Sequence, residues 1–379
     1  MFIYLLFTIC SLLIIYTYIF YPAYLRKNAI GKKMKFSPYL IEEELPMVKI
    51  IIPICNEEKI IENKINSIIS TSYPVSKITI YVGLDNCTDS TLEIIHSKFS
   101  LSTIAITEFS ERQGKPAVLN QIVNQLPQDD SILIFTDADV LFTHNTIFEL
   151  VKYFKNKEIG LVDSSIKPGV IRNSNEQAYW NYETEIKQNE SLVFGSILGP
   201  SGGCYAIRRN LFVPIPPNFL VDDFFIGFSI AVANYKTILN PSAVCYEDVT
   251  TNWSQEFRRK MRIAAGNFQN LWYFKKYAFQ PHTNIGKIFI SHKVLRWKTP
   301  FFLLIIYYIL LLKYTLFILI VTLFLPIIDA LLFTFGFEFK PLRRFHYFIV
   351  MNIAVFIGFI KFCKGIRTNV WQPTTRNGL

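Results

Sequence analysis

Between residues 48 and 139 the chain alternates short apolar runs with amphipathic stretches in a regular order. Val48-Lys49-Ile50-Ile51-Ile52-Pro53 is almost continuously apolar and predicts a buried first strand. Asn56-Glu57-Glu58 opens a pattern that puts Ile61, Ile65, Ile68 and Ile69 on one helical face, closed by Tyr73-Pro74. Residues 78–84 predict a second strand ending at Asp85, and Asn86 to Thr91 form a turn capping the next helix. A short third strand near 103–107 leads to Glu111-Arg112-Gln113-Gly114-Lys115-Pro116 and a helix through Asn120 and Val123. A further strand from Ser131 ends in Thr136-Asp137-Ala138-Asp139. This βαβ alternation implies a parallel sheet and an α/β fold.

The flanks follow another pattern. Phe2 to Phe20 carries no charge and is about long enough to cross a bilayer. Arg26, Lys27, Lys32, Lys33 and Lys35 follow it, no basic residue precedes it, and Tyr21-Pro22-Ala23 is a poor cleavage site. It reads as an uncleaved anchor with the next domain in the cytoplasm. Residues 299–336 are apolar except for Lys313 and Asp329, which suits two spans joined by a tight outside turn, and Phe345 to Phe362 is a further span. Three spans would leave the tail outside, whereas its basic flanks place it inside, so one segment would be re-entrant or interfacial. The expected divisions are an anchor (1–22), a linker (23–46) and a cytoplasmic domain (47–250). Amphipathic interfacial helices (251–298), membrane segments (299–363) and a cytoplasmic tail (364–379) complete the chain.

Charge and composition support a multi-pass integral membrane protein. The net charge of +10 comes from basic residues beside apolar runs, at 26–35, 287–298, 340–344 and 361–376. Attraction to anionic lipid headgroups accounts for these clusters without nucleic acid. The 6 Cys are scattered and the 5 His form no ligand motif. Neither a disulfide framework nor a zinc site is indicated, and a reducing compartment fits.

The chemistry is in the carboxylates. Asp137 and Asp139 are two apart in extended chain, so both can face one cation. Two hard oxygen donors at the carboxyl end of a strand suit Mg²⁺ or Mn²⁺, completed by water and substrate phosphate. Taken alone, the tripeptide equally suits a solvated turn. No G-x-G-x-x-G or G-x-x-x-x-G-K-[ST] is present, so phosphate must be held by a metal and by isolated cations such as Lys115 or Arg112.

Four motifs in order resemble the nucleotide half of family 2 glycosyltransferases: Ile51 to Glu57, Asp85-Asn86-Cys87-Thr88-Asp89, Gly114-Lys115, and Thr136 to Asp139. The resemblance extends to membrane-bound members such as cellulose, poly-N-acetylglucosamine and hyaluronan synthases. It implies a GT-A fold with a mixed, mainly parallel sheet, flanked by N- and C-terminal transmembrane helices. It further implies donor contacts from Pro53, Asn56, Glu57, Asp85, Lys115 and Asp137, with Asp137 and Asp139 meeting the metal-bound diphosphate. Gly199 to Arg209 resembles the small-residue segment beneath the acceptor, and Val221-Asp222-Asp223 stands where members carry Thr-Glu-Asp. That match makes Asp223 the catalytic base, while Asp222 reads as a helix-start cap or takes the opposite role. Gln255, Arg258 and Arg259 overlie Gln-x-x-Arg-Trp, with Arg259 at the Trp position, which puts long-chain processivity in doubt. Gln255 and Arg258 would meet acceptor or diphosphate, and Trp371 resembles a tail or gating segment.

The expected activity is inverting transfer of a sugar from a nucleotide diphosphate donor, taken as UDP-linked, to a glycan or lipid-linked acceptor, with β-linked polysaccharide synthesis as one form. A single-sugar transferase on a lipid acceptor is the alternative within the class. A non-catalytic glycan-binding or scaffolding subunit is the alternative outside it. Export or synthase subunits are expected partners.

Overall fold

The computed structural model describes residues 1–100, 102–169, 174–247, 253–335, 337 and 339–370. The chain divides into two compact units, Asn28–Asn252 with Ile366–Leu379, and Met1–Lys27 with Trp253–Gly365.

The first unit is built on one eight-stranded mixed sheet. Its strands are β1 (Val48–Ile54), β2 (Ile78–Asp85), β3 (Ile104–Phe109), β4 (Ile132–Thr136), β5 (Val140–Phe142), β6 (Ile159–Pro168), β7 (Cys204–Arg208) and β8 (Lys236–Glu247). They lie in the order β3-β2-β1-β4-β7-β6-β8-β5. β1 pairs in parallel with β2 and β4, with Val48 opposite both Ile78 and Ile132, and β2 pairs in parallel with β3. β7 runs antiparallel between β4 and β6, and β8 pairs parallel with β6 and antiparallel with β5. Val48, Ile50, Ile51 and Ile52 are fully buried, as strands covered on both faces require. The shared direction of β1 to β4 delivers their carboxyl ends to one edge.

One expected boundary moves. The helix expected to open at Asn56 instead runs Ile61–Ile69. Asn56 has φ of 55°, and its side chain trades hydrogen bonds with Thr88: Thr88 N donates to Asn56 Oδ1 (2.8 Å) and Asn56 Nδ2 to Thr88 Oγ1 (3.1 Å). These partners hold the segment as a loop against the turn after β2, so the first helical turn is given up.

The second unit is helical. Among the described residues four helices, Phe2–Ala29, Asn284–Lys313, Thr315–Leu332 and Lys340–Cys363, are long and apolar enough to cross a membrane. The helix from Asn284 starts where Thr283 Oγ1 accepts from Gly286 N (3.0 Å) and runs on through the expected 298/299 boundary without a break. An amphipathic helix, Trp253–Tyr273, buries Ala264, Ala265 and Phe268. Phe268 meets Phe359 of helix Lys340–Cys363 with ring centroids 5.0 Å apart, and Tyr347 Oη donates to Glu256 Oε1 (2.8 Å).

Candidate active site

Parallel pairing sets the ends of β1, β2 and β4 side by side, and with them Cys55, Asp85 and Asp137. Asp85 is buried and its carboxylate organises the loop opposite: Oδ1 accepts from Gln113 N (2.6 Å) and Oδ2 from Gly114 N (2.9 Å). Arg112 Nε lies 3.3 Å from Oδ2, and Arg112 Nη1 reaches Cys55 Sγ at 2.5 Å. Gly114 has φ of 81°, which a side chain would strain, and the turn it makes launches helix Lys115–Gln125. Asp85 thus shapes the loop that carries Lys115. Nearby, half-buried Pro53 lies within β1, and Glu57 N donates to Thr91 Oγ1 (3.0 Å).

Lys115 is the hub of the cluster. Its Nζ is 2.7 Å from Asp137 Oδ1 and 3.8 Å from Asp222 Oδ2, and it donates to Gly202 O (3.4 Å). Burial disfavours its charge, yet Asp137, Asp222 and Asp223 raise its pKa above the usual lysine range. Asp222 and Asp223 are the first two residues of helix Asp222–Val232. Val221 holds the capping position and no side chain caps it, so Asp222 is not the cap expected from the sequence. It is instead buried, with an Oδ2 that has no hydrogen-bond donor among the described residues. Asp223 Oδ1 accepts from Phe224 N (2.7 Å). Burial first, then the Asp222 charge, pushes the Asp223 carboxyl up to about 6, with Lys115 opposing. The loop before β7 makes room for it: a Cβ on Gly202 would stand 2.5 Å from Asp223 Oδ2.

Sequence reasoning missed two groups. Lys64, on helix Ile61–Ile69, is fully buried and donates to Thr136 Oγ1 (2.7 Å) and to Val140 O, bracketing the Asp137-Ala138-Asp139 turn. Burial lowers its pKa to about 8. Asp163, fully buried on β6, pairs with Lys187 and Ser201 beneath the Gly202 loop. Lys64 sits in a stretch that reads as amphipathic helix, where an isolated lysine reads as solvent-facing, and the stretch around Lys187 carries no motif.

Gln255, half-buried, and Arg258, exposed, lie on helix Trp253–Tyr273 of the other unit with half-buried Arg259. Arg258 Nε donates to Ser254 O (3.3 Å). Trp371 lies outside the described residues.

Among the described residues no group of three or more His, Cys, Asp and Glu side chains is arranged to hold a metal ion. The donor set nevertheless fits a hard divalent cation that takes its remaining ligands from phosphate and water. Asp137 is 38% exposed and reachable, Asp139 is buried beside it in sequence, and Asp222 keeps an oxygen without a donor. Asp137 and Asp222 both lie against the Lys115 ammonium, whose charge also acts on Asp223.

Comparison with known proteins decides the family. The model of glycosyl transferase family 2 matches residues 49–214, and that of glycosyl transferase family group 2 matches residues 135–359, more than half the chain. The chain belongs to the family 2 glycosyltransferases. This family 2 glycosyltransferase is 24% identical over 274 residues to the probable glycosyltransferase YdaM of Bacillus subtilis, covering 68% of this chain and 65% of the relative. It is 26% identical over 173 residues to the beta-monoglucosyldiacylglycerol synthase of a Nostoc species, covering 45% and 36% respectively. It therefore spans less than two thirds of the length of these relatives. Among solved structures it resembles a mannosyltransferase from Pyrobaculum calidifontis in complex with GDP-mannose and Mn²⁺, with a TM-score of 0.72 at 21% identity. That likeness covers 94% of this chain and 99% of the other, and establishes the GT-A-like fold.

Proposed function

We propose that this family 2 glycosyltransferase is a multi-pass membrane enzyme whose cytoplasmic domain transfers a sugar, with inversion, from a nucleoside diphosphate donor, of the UDP class, to a hydroxyl of a lipid-linked or glycan acceptor. The observation that carries the reading is the cluster in which Asp137 and Asp222 meet at the Lys115 ammonium and Asp223, next to it, has a raised pKa. An inverting transfer needs one carboxylate to take the acceptor proton as the oxygen attacks the anomeric carbon. The bond to the diphosphate breaks in the same displacement, and its electron pair leaves with the phosphate. Asp223 is that base: a carboxylate whose affinity for a proton is raised toward neutrality accepts one more readily than a solvated aspartate. Its carboxylate packs against Gly202 while the residue itself stays half-buried. Lys115 puts a fixed positive charge beside Asp137, and Asp85 shapes the donor pocket by holding residues 112–114 in place. A Mg²⁺ or Mn²⁺ held by Asp137 and Asp139 would offset the charge that develops on the departing diphosphate.

Arg259, standing at the aromatic position of the processive motif, supports transfer of one or a few sugars over long-chain synthesis. Product length from the purified enzyme separates the two. The reading is tested by incubating the purified full chain with a panel of UDP- and GDP-sugars and Mn²⁺. Release of nucleoside diphosphate from at least one donor, lost in Asp139→Asn, is the expected result. Equal release by Asp139→Asn and wild type would contradict it.

A further inference from the structure

Beneath the Gly202 loop lies a charge pair that takes no part in the mechanism above. Asp163 on β6 is fully buried, and Lys187 on helix Ser174–Phe194 is nearly so. Lys187 Nζ is 3.0 Å from Asp163 Oδ2, and both groups close on one residue, Ser201. Ser201 N donates to Asp163 Oδ1 (2.7 Å), Lys187 Nζ donates to Ser201 Oγ (3.0 Å), and Ser201 Oγ donates to Asp163 Oδ2 (3.3 Å). A buried ion pair is a poor source of stability, since desolvating both charges offsets most of their attraction. Here burial still raises the Asp163 carboxyl above its ordinary range even though Lys187 and Ser201 oppose the shift. Its retention needs another reason.

The residues next to Ser201 supply one. Gly202 O accepts from Lys115, the space at Gly202 Cα admits Asp223 Oδ2, and Gly203 O accepts from Asp137 N (3.0 Å). Cys204 N returns to Ser201 O (3.2 Å) and starts β7. Within three residues the loop touches the ammonium hub, the base and the first residue of the Asp-x-Asp turn. On its other side the Asp163–Lys187 pair gives it a buried polar anchor.

We infer that Asp163 and Lys187 are positioning residues: through Ser201 they fix the 201–203 loop, and with it the placement of Asp223 relative to Lys115 and Asp137. The inference rests on the transferase reading for its kinetic consequence and on geometry alone for its structural one. Misplacing a base by about an ångström lowers a positioned reaction by on the order of 100-fold. Donor binding at the Asp85 side does not run through Ser201 and is unaffected. Water needs less positioning than a bulky acceptor, so hydrolysis of the donor falls less than transfer.

The test uses the full chain in detergent, with Asp163→Asn, Lys187→Met and the double variant carrying both. Each single variant leaves a buried group without its partner and is prone to misfold, whereas the double variant removes both charges together. Hydrogen exchange is read first, without substrate. The expected result is faster exchange at 201–204 and at the start of helix Asp222–Val232, with β1 and β2 unchanged. Unchanged exchange at 201–204 in the folded double variant would overturn the inference whatever the activity. The second measurement follows whichever UDP- or GDP-sugar the wild type consumes with Mn²⁺. Transfer is expected to fall on the order of 10- to 100-fold and hydrolysis less than transfer, with the donor KM within about threefold. Equal loss of transfer and hydrolysis would assign the pair a merely structural role. A wild type that consumes no donor would refute the transferase reading, and the exchange result would still decide whether the pair fixes the loop.

Discussion

Asp222 and Asp223 are neighbours with opposite electrostatic settings. Asp222 lies 3.8 Å from the Lys115 ammonium, while desolvation and then the neighbouring Asp222 charge push the half-buried Asp223 carboxyl up to about 6. If Asp223 is the base, kcat/KM falls as pH drops below about 6. Asp222→Asn removes a like charge that raises the Asp223 pKa, so the acid limb moves to lower pH; a limb that stays put would contradict the assignment. Because the folded pKa lies above the ordinary 3.8, stability contributed by protonated Asp223 is lost as pH rises through about 6. Asp223→Asn is therefore expected to melt higher than wild type at pH 8 in metal-free buffer, and to lose that advantage at pH 4. Lys64 has the reverse sign. Its folded pKa is lowered to about 8 from 10.5, so wild-type stability rises with pH between those values. Thermal melts of Lys64→Met should lack that rise. Of these residues the acids and Lys115 were legible in the sequence, because they end strands or match a motif. Lys64 and Lys187 were not, since their buried partners, Thr136 and Val140 O for the one and Asp163 for the other, come together only once the chain has folded.

At the scale of elements, the parallel half of the sheet was readable because strands covered on both faces are continuously apolar. β1, β2 and β4 each end at or beside the residues that shape the site. The later strands were harder to read. β7 inserts antiparallel between β4 and β6, and no local pattern around Cys204 to Arg208 records which neighbours it takes. The start of the first helix was misplaced because Asn56 finds its partner 32 residues away at Thr88, a contact that periodicity does not encode. Two substitutions probe the elements that matter. Gly202→Ala puts a methyl group 2.5 Å from Asp223 Oδ2, so the helix start or the loop must shift. Transfer should drop about 10- to 100-fold with little change in melting temperature; unimpaired transfer would show that Asp223 is not tightly seated. In the helical unit, Gly358→Leu would force helix Lys340–Cys363 off helix Trp253–Tyr273, because a Cβ there stands 2.7 Å from Met261 O. A lower melting temperature in detergent checks this, by roughly the 1–3 kcal/mol of an overpacked contact.

For the whole molecule, the chain falls into two units of different composition. One carries a sheet edge lined with acids, the other, among the described residues, four helices long and apolar enough to cross a bilayer. Removal of divalent metal with EDTA is expected to abolish nucleotide release, and added Mn²⁺ to restore it. Release that persists at full rate in EDTA would remove the metal from the account. The central claim is that Asp223 serves as the base of a transfer to an acceptor hydroxyl. The most direct measurement is the transfer rate of purified Asp223→Asn, at saturating donor and Mn²⁺, beside its affinity for the nucleoside diphosphate. The account predicts transfer reduced by about 1,000-fold or more with nucleotide affinity intact; transfer at the wild-type rate would contradict it.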